Sequence, residues 1–284
     1  MCYTGISYMV SSSDAYRGLR ELPPFPAIAT KLLRVLSHED ADLRDIQNLI
    51  RTDAALSSDL LRIVNSAAFG TSTPIGSIQM AVLRLGFERV RQFAMAVSLK
   101  GFLHTIRIDL LRRLWRHSLA CGLVANDLSN ACSTSMGHDD RAYTTALLHD
   151  IGRLGLFAAH PIEYAALIEQ ATGTDLRERE RHAFGMDHCQ AGVWLANHWQ
   201  LGEEIRHVIA THHDPPSTDD FQQADVVRVA ILLADSLGFD VIAPARTFTL
   251  AEIRTMLPRP AQFRFDPEPE IFKTRITEQL DAFD

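Results

Sequence analysis

A histidine and an aspartate stand side by side in an apolar stretch of this 284-residue sequence. Residues 146–155 read ALLHDIGRLG, which places His149 next to Asp150. On a continuous helix, Asp150 would share a face with the apolar side chains of Tyr143 and Leu154. A buried carboxylate is costly unless a partner compensates its charge. A metal ion is the simplest such partner, so the pair predicts a metal site.

Polar residues on other apolar helix faces are the first candidates for further ligands. His117 lies within the apolar helical stripe Leu110–Val124, and Asp235 is in helical register with Ile231. Together with the His-Asp pair, they offer two imidazoles and two carboxylates from three predicted helices. Such mixed ligands suit iron, manganese or zinc better than magnesium. Open coordination positions would allow a bound water to act as a nucleophile near neutral pH.

Three further histidines could extend this site to two metal ions. His188 begins one predicted helix, and His212 and His213 end another, just before two prolines. With them the site has seven candidate ligands, enough for one ion or for two that share Asp150 as a bridge. Each residue alone has an ordinary alternative, such as a core histidine, a buried cap or a helix end favoured by the macrodipole. The predicted ligands are His117, His149, Asp150, His188, His212, His213 and Asp235.

Arg153 follows His149 by one helical turn and has two interpretations. A guanidinium matches the oxygens of a substrate phosphate, which predicts a positioning role. Alternatively, Arg153 pairs with Asp150 or with a carboxylate at a helix end. Asp150 and Arg153 are therefore the predicted catalytic residues. The sequence contains neither a Gly-x-Ser-x-Gly motif nor a glycine-rich phosphate loop.

The elements that must position these residues are all predicted to be helices. Apolar residues recur with helical spacing along the chain, and no segment alternates with a period of two. Asp42 and Asp140 are placed to cap two of these helices. The sequence therefore predicts an all-α fold of two helical lobes, with a boundary near residues 102–108.

Composition narrows the range of functions. The net charge of -7 argues against a sequence-independent nucleic-acid surface, which would need an excess of basic residues. The apolar runs are shorter than the roughly 18 residues of a membrane span, and the N-terminus does not have the pattern of a signal peptide. None of the four cysteines is paired in a Cys-x-x-Cys motif. We expect a cytoplasmic protein with reduced thiols, no membrane association and no direct nucleic-acid binding.

Several spaced motifs resemble a known family. The order His117, His149-Asp150, Asp235 resembles the signature of the HD superfamily of metal-dependent phosphohydrolases, and the other three histidines resemble the fuller ligand set of its HD-GYP branch. The N-terminal motifs resemble the HDOD domain, a bacterial signalling module related to HD-GYP. These motifs are Leu22-Pro-Pro-Phe-Pro26, Arg51-Thr-Asp-Ala-Ala55, Val64-Asn65-Ser66-Ala67 and Ile78-x-x-Ala81-x-x-x-Leu85-Gly86.

The resemblance implies an all-α HDOD fold with a metal site. The implied organisation is an N-terminal tail over 1–17, an HDOD domain over 18–240 and a C-terminal helical extension over 241–284. The domain would divide into an N-terminal helical lobe (18–104) and an HD-like lobe (105–240).

Two functions follow from the resemblance. One is a signalling protein that hydrolyses a phosphodiester or nucleotide with one or two divalent transition metal ions. The other is a non-catalytic module that binds a protein partner or a nucleotide. The chain has Asp214-Pro-Pro-Ser-Thr-Asp-Asp220 where HD-GYP proteins have Gly-Tyr-Pro, and Arg153 where they have lysine. Metal binding is therefore implied more strongly than hydrolysis of cyclic di-GMP.

Overall fold

The computed structural model describes residues 16–22, 24–36, 43–69, 74–103, 109–136, 141–217 and 219–283. Within these residues the chain forms helices and connecting segments and no strand, which confirms the all-α prediction. The predicted caps Asp42 and Asp140 lie outside the described residues. So does the predicted lobe boundary between residues 104 and 105.

The N-terminal helices begin at capping side chains where the sequence provides them. Asp53 accepts a hydrogen bond from the Leu56 N–H (2.9 Å), and Ser77 accepts one from the Met80 N–H (3.1 Å). Such caps satisfy N–H groups that have no partner inside the helix. The helices are α1 Arg17–Arg20, α2 Ala27–Leu36, α3 Leu43–Arg51, α4 Ala54–Val64, α5 Ile78–Leu85 and α6 Phe87–Leu103.

The middle of the chain is organised around its longest helix. This helix, α7, has 28 residues and is therefore roughly 42 Å long. It packs against α8 and α14, and the C-terminal helices rest on it. The helices here are α7 Asp109–Met136, α8 Arg141–Leu148, α9 Ile151–Ala159, α10 Pro161–Gln170, α11 Leu176–Phe184, α12 His188–His198, α13 Glu203–Thr211 and α14 Gln223–Ala234.

The prediction of one continuous helix through the His-Asp pair is wrong. Helix α8 ends at Leu148 and α9 begins at Ile151, so His149 and Asp150 lie in the break between them. Asp150 has φ -100° and ψ 19°, outside the helical region. Nδ1 of His149 lies 2.6 Å from the carbonyl oxygen of Ala146. This side-chain hydrogen bond competes with the main-chain N–H that would bond to the same carbonyl if the helix continued.

The C-terminal residues fold back onto the rest of the molecule. Helices α15 Leu250–Thr255, α16 Arg259–Gln262 and α17 Pro269–Asp281 follow a turn of π-helix over Asp235–Phe239. Phe283 is fully buried, and its ring lies 5.5 Å from that of Phe93 on α6. None of the described helices is both long and apolar enough to cross a lipid bilayer.

Candidate metal centre

The fold brings the predicted ligands together from four helix ends and one helix interior. His117 projects from α7, and the His-Asp pair occupies the break between α8 and α9. His188 is the first residue of α12. His212 is the C-cap of α13 and is followed by His213, and Asp235 is the C-cap of α14.

Asp150 lies at the centre of this cluster. Its Oδ2 atom is 3.6 Å from Nε2 of His117 and 3.5 Å from Nε2 of His149. Its Oδ1 atom is 3.4 Å from Nε2 of His212 and 3.9 Å from Nε2 of His188. The two carboxylate oxygens therefore face two different pairs of imidazoles. A carboxylate in this position can bridge two metal ions.

Main-chain carbonyls orient three of these imidazole rings. A carbonyl oxygen can only accept a hydrogen bond, so the ring Nδ1 that contacts it carries the proton and Nε2 keeps its lone pair. The Nε2 lone pairs are thus free to bind a metal on the side of Asp150. The pairs are His149 with Ala146 (2.6 Å), His212 with Ile209 (2.9 Å) and His117 with Phe239 (3.0 Å).

A glutamate that sequence reasoning missed orients the fourth ring. Glu180 accepts hydrogen bonds from Nδ1 (2.6 Å) and the main-chain N–H (2.9 Å) of His188, and from the hydroxyl of Tyr164 (2.8 Å). Carboxylates commonly hold metal-binding histidines in this way. Burial raises the pKa of Glu180 to about 7. A signal was present in the sequence, because Leu176, Glu180 and Phe184 follow helical spacing and share one buried face.

His213 and Asp235 extend the cluster, each beside a different histidine. Nε2 of His213 lies 2.7 Å from Nε2 of His188, so these two rings point at the same place. Oδ1 of Asp235 lies 3.5 Å from Nδ1 of His117, the ring whose Nε2 faces Asp150. We call His117 and His149 the first half-site, and His188, His212 and His213 the second half-site.

A cysteine accompanies each half-site, which sequence reasoning also missed. Sγ of Cys121 lies 3.8 Å from Nε2 of His117, one turn along α7, and Cys189 follows His188 directly. Burial raises the pKa of the Cys121 thiol well above its usual value and that of Cys189 to about 12. Both thiols are therefore protonated at neutral pH in the absence of a metal.

The protonation states of the cluster are those that a metal requires. Burial favours the neutral form of Asp150, but Arg153 and His149 hold the pKa of its carboxyl well below the ordinary value. Burial also lowers the pKa of His149 and of His188 well below the ordinary value. The ionised carboxylate of Asp150 thus faces the neutral imidazoles of His149 and His188, and metals bind these forms.

Unsatisfied polar atoms mark the same place. Both carboxylate oxygens of Asp150 and Nε2 of His212 are buried without a hydrogen-bond partner among the described residues. Such atoms are costly to bury unless a ligand or ion compensates them. Arg153 compensates part of the charge, because its Nε lies 3.0 Å from Oδ2 of Asp150. The residues therefore form a buried group that could hold a metal ion.

The cluster opens into a pocket of about 640 Å³. Arg153 and Arg177 line this pocket, together with Arg246, Phe248 and Met256 from the segment after α14. A ligand in the pocket can therefore reach the His-Asp pair, and residues after α14 form part of its surroundings.

These features define an all-helical protein with a buried histidine–aspartate centre that is open to a ligand. The HDOD domain family matches residues 22–215, and the chain belongs to this family. An uncharacterized protein of Treponema pallidum is 29% identical over 198 residues, which are 69% of this chain and 38% of that protein. The match thus spans less than half of the relative's length.

Solved structures show the same fold. An HDOD domain protein of unknown function from Geobacter sulfurreducens is similar with a TM-score of 0.71 and 23% identity, over 96% of this chain and 98% of that one. A protein of Shewanella amazonensis named "Putative phosphohydrolase" is similar with a TM-score of 0.65 and 20% identity, over 95% and 98% of the two chains. At these identities the likeness concerns the fold.

Proposed function

We propose that this HDOD protein binds one or two divalent transition metal ions, iron, manganese or zinc, and hydrolyses a phosphodiester or nucleotide. The observation that carries the proposal is the position of Asp150, whose two oxygens face the two half-sites. Its buried oxygens have no hydrogen-bond partner among the described residues, and the surrounding imidazoles are oriented through Nδ1.

The residues have distinct roles in this proposal. His117, His149 and Asp235 would hold one ion, His188, His212 and His213 the other, and Asp150 both. When bound, such ions supply a water nucleophile at neutral pH and polarise a phosphoryl oxygen. Glu180 positions His188 and keeps its Nδ1 proton in place. Mixed imidazole and carboxylate donors favour iron, manganese or zinc over magnesium.

Arg153 would orient the substrate phosphate. It lines the pocket, and its pKa lies above the ordinary value because nearby carboxylates outweigh the effect of burial. It therefore stays charged at neutral pH. A guanidinium can hold a carboxylate with one edge and phosphate oxygens with another. The same residue can thus hold Asp150 and a phosphate ester.

One observation favours a second function, a non-catalytic signalling module that binds a protein partner or a nucleotide. The ion pair between Arg153 and Asp150 compensates the buried carboxylate without any metal. A chain that no longer bound metal would keep this pair and the fold. The pocket would then serve for binding alone.

Metal analysis tests the metal site. Protein purified without chelator from metal-supplemented medium should contain at least about one transition metal ion per chain, and His149→Ala should lose most of it. The matched control is His182→Ala, because His182 is exposed and lies outside the pocket. A metal-free wild type would contradict the metal site.

Turnover is tested on the metal-loaded protein. Bis-(p-nitrophenyl) phosphate and a nucleotide panel should be hydrolysed with manganese or iron, and Asp150→Asn should abolish the reaction. Metal-loaded protein that turns over nothing in the panel would favour the binding module.

A further inference from the structure

A second cavity lies away from the metal centre, where α2 and α6 meet α8 and the start of α13. Its volume is about 530 Å³, within the range of roughly 300–1,000 Å³ that is usual for small-molecule sites. None of its lining residues lines the metal pocket. We call it the α8–α13 cavity. Its polar lining includes Thr30, Arg91, Arg141, Thr144 and Thr145.

A buried hydroxyl without a partner points to a ligand in this cavity. Thr145 is 1% exposed and lines the cavity, and its Oγ1 has no hydrogen-bond partner among the described residues. Leaving such a group unpaired costs about 1–3 kcal/mol. A ligand that donates or accepts a hydrogen bond at this position would remove the cost.

Both arginines that line the cavity are ion-paired, and the exposed carboxylate of Glu203 disfavours an anion, which indicates an uncharged ligand. Arg91 is buried and lies 2.5 Å from a carboxylate oxygen of Glu88. Arg141 lies 2.6 Å from a carboxylate oxygen of Glu204. Each cation therefore has an anion of its own. The apolar part of the wall comprises Leu33, Trp199, Leu201 and Ile205, and Gln200 lies among them.

Two helices connect the cavity to the metal centre. Thr145 lies on α8, and His149 follows it by four residues, directly after the last residue of this helix. Helix α13 begins beside the cavity at Glu203 and ends at its C-cap His212, a helix of nine residues or roughly 14 Å. A ligand that moves α8 would move His149 of the first half-site, and one that moves α13 would move His212 of the second.

We propose that the α8–α13 cavity binds a small, uncharged and mainly apolar molecule with a hydrogen-bonding group, and that this ligand regulates the metal centre. Thr145 supplies the polar contact, and the apolar wall supplies the burial. The binding step is independent of the proposed metal chemistry, whereas the regulatory step rests on it.

A pair of fluorescent probes tests binding and charge preference together. N-phenyl-1-naphthylamine is an uncharged aromatic amine, and 1-anilinonaphthalene-8-sulfonate is the same molecule with a sulfonate added. Titration of the full chain should show one saturable site for the uncharged probe, with affinity at least about tenfold higher than for the sulfonate, since burying an unpaired charge is costly. Tighter binding of the sulfonate would overturn the assignment of an uncharged ligand.

Two variants test whether the probe binds in the α8–α13 cavity. A side chain added at Gly202, on the cavity rim, meets no atom within 4 Å at its Cβ, so Gly202→Leu fills space without displacing the backbone. It should lower the affinity for the uncharged probe at least about tenfold, and Thr145→Val should lower it about threefold to tenfold. The matched control Gly76→Leu also adds a side chain in open space, and it should leave binding unchanged. Unchanged binding in both Gly202→Leu and Thr145→Val would overturn the proposed site.

The regulatory step is tested by measuring Mn²⁺ affinity with and without saturating N-phenyl-1-naphthylamine. Allosteric couplings are commonly about 5-fold to 150-fold, so we expect at least about a fivefold change in wild type and none in Gly202→Leu. An unchanged Mn²⁺ affinity in wild type would overturn regulation. A chain that binds the probe but no Mn²⁺ would contradict the proposed metal function and not the cavity.

Discussion

The backbone of Gly152 lies directly against the carbonyl oxygen of His188. A Cβ atom on residue 152 would approach this oxygen to 1.8 Å and the N–H nitrogen of Gly192 to 2.6 Å. The obstacle is main chain on α12, which cannot move without moving the helix. The contact therefore sets the spacing between α9 and α12, and with it the distance from Asp150 to the second half-site.

Gly152→Ala should destabilise the protein by at least about 3 kcal/mol, because α9 and α12 must separate. It should also weaken Mn²⁺ binding. The control is Gly155→Ala on the same helix, whose Cβ would meet the end of the flexible Leu195 side chain at 2.5 Å. Chemical denaturation of both variants measures the difference, and equal losses would contradict the backbone argument.

Glu180→Gln should selectively weaken the second half-site. Glutamine has one acceptor oxygen, whereas Glu180 uses two to bind His188 and Tyr164. Loss of such an orienting partner typically costs about tenfold to a hundredfold in metal affinity. Titration with Mn²⁺ should show one site weakened and the other retained.

Glu178→Gln is the matched control for this change, because Glu178 lies on the same helix but is exposed. If Glu180→Gln and Glu178→Gln bound both ions as the wild type does, Glu180 would have no positioning role.

Gly238→Ala should affect the first half-site. Gly238 has φ +87°, a conformation that costs a residue with a side chain about 1–2 kcal/mol. The next residue, Phe239, supplies the carbonyl that orients His117. We expect this loss of stability together with weaker binding at the first half-site. Gly76→Ala is the control, because Gly76 does not have a positive φ and has open space around it. If Gly238→Ala were as stable as this control, residue 238 would not be under backbone strain.

Removing the metal should lower the free energy of unfolding, even though the ion pair between Arg153 and Asp150 remains. A ligand present at a hundred times its dissociation constant stabilises the folded state by about 2.7 kcal/mol. Protein treated with chelator should therefore unfold at a lower temperature, and added Mn²⁺ should restore the midpoint. In His149→Ala the addition should have little effect. A wild-type midpoint that is insensitive to both treatments would count against a bound ion.

The fold class and the grouping of the site residues could be predicted because both depend on side-chain type at helical spacing. His117 and Asp235 stood out as polar residues on apolar faces, and the structure places His117 near Asp150 and Asp235 near His117. The HDOD resemblance, which depended on spaced motifs, is confirmed by the family match over residues 22–215. The role of the seven residues as metal ligands stays a prediction.

Periodicity could not predict the break at His149 and Asp150. A two-residue interruption leaves the flanking apolar residues close to helical register. The interruption is accompanied by the hydrogen bond from the His149 ring to the Ala146 carbonyl and by the contact of Gly152 with His188 on α12, and periodicity reports neither. Glu180 was missed for a different reason. It stands in the charged run Arg-Glu-Arg-Glu-Arg, and only its buried face distinguishes it from its exposed neighbours.

The hydrogen bonds at Nδ1 make the second half-site more sensitive to random mutation than the first. Backbone carbonyls orient both imidazoles of the first half-site, and any residue at 146 or 239 except one that disrupts the fold can supply such a carbonyl. His188 in the second half-site depends on the side chain of Glu180, which a single nucleotide change can replace. On the proposed two-ion site, the second half-site would therefore be lost first when mutations accumulate without selection, and the imidazoles of the first half-site would stay oriented.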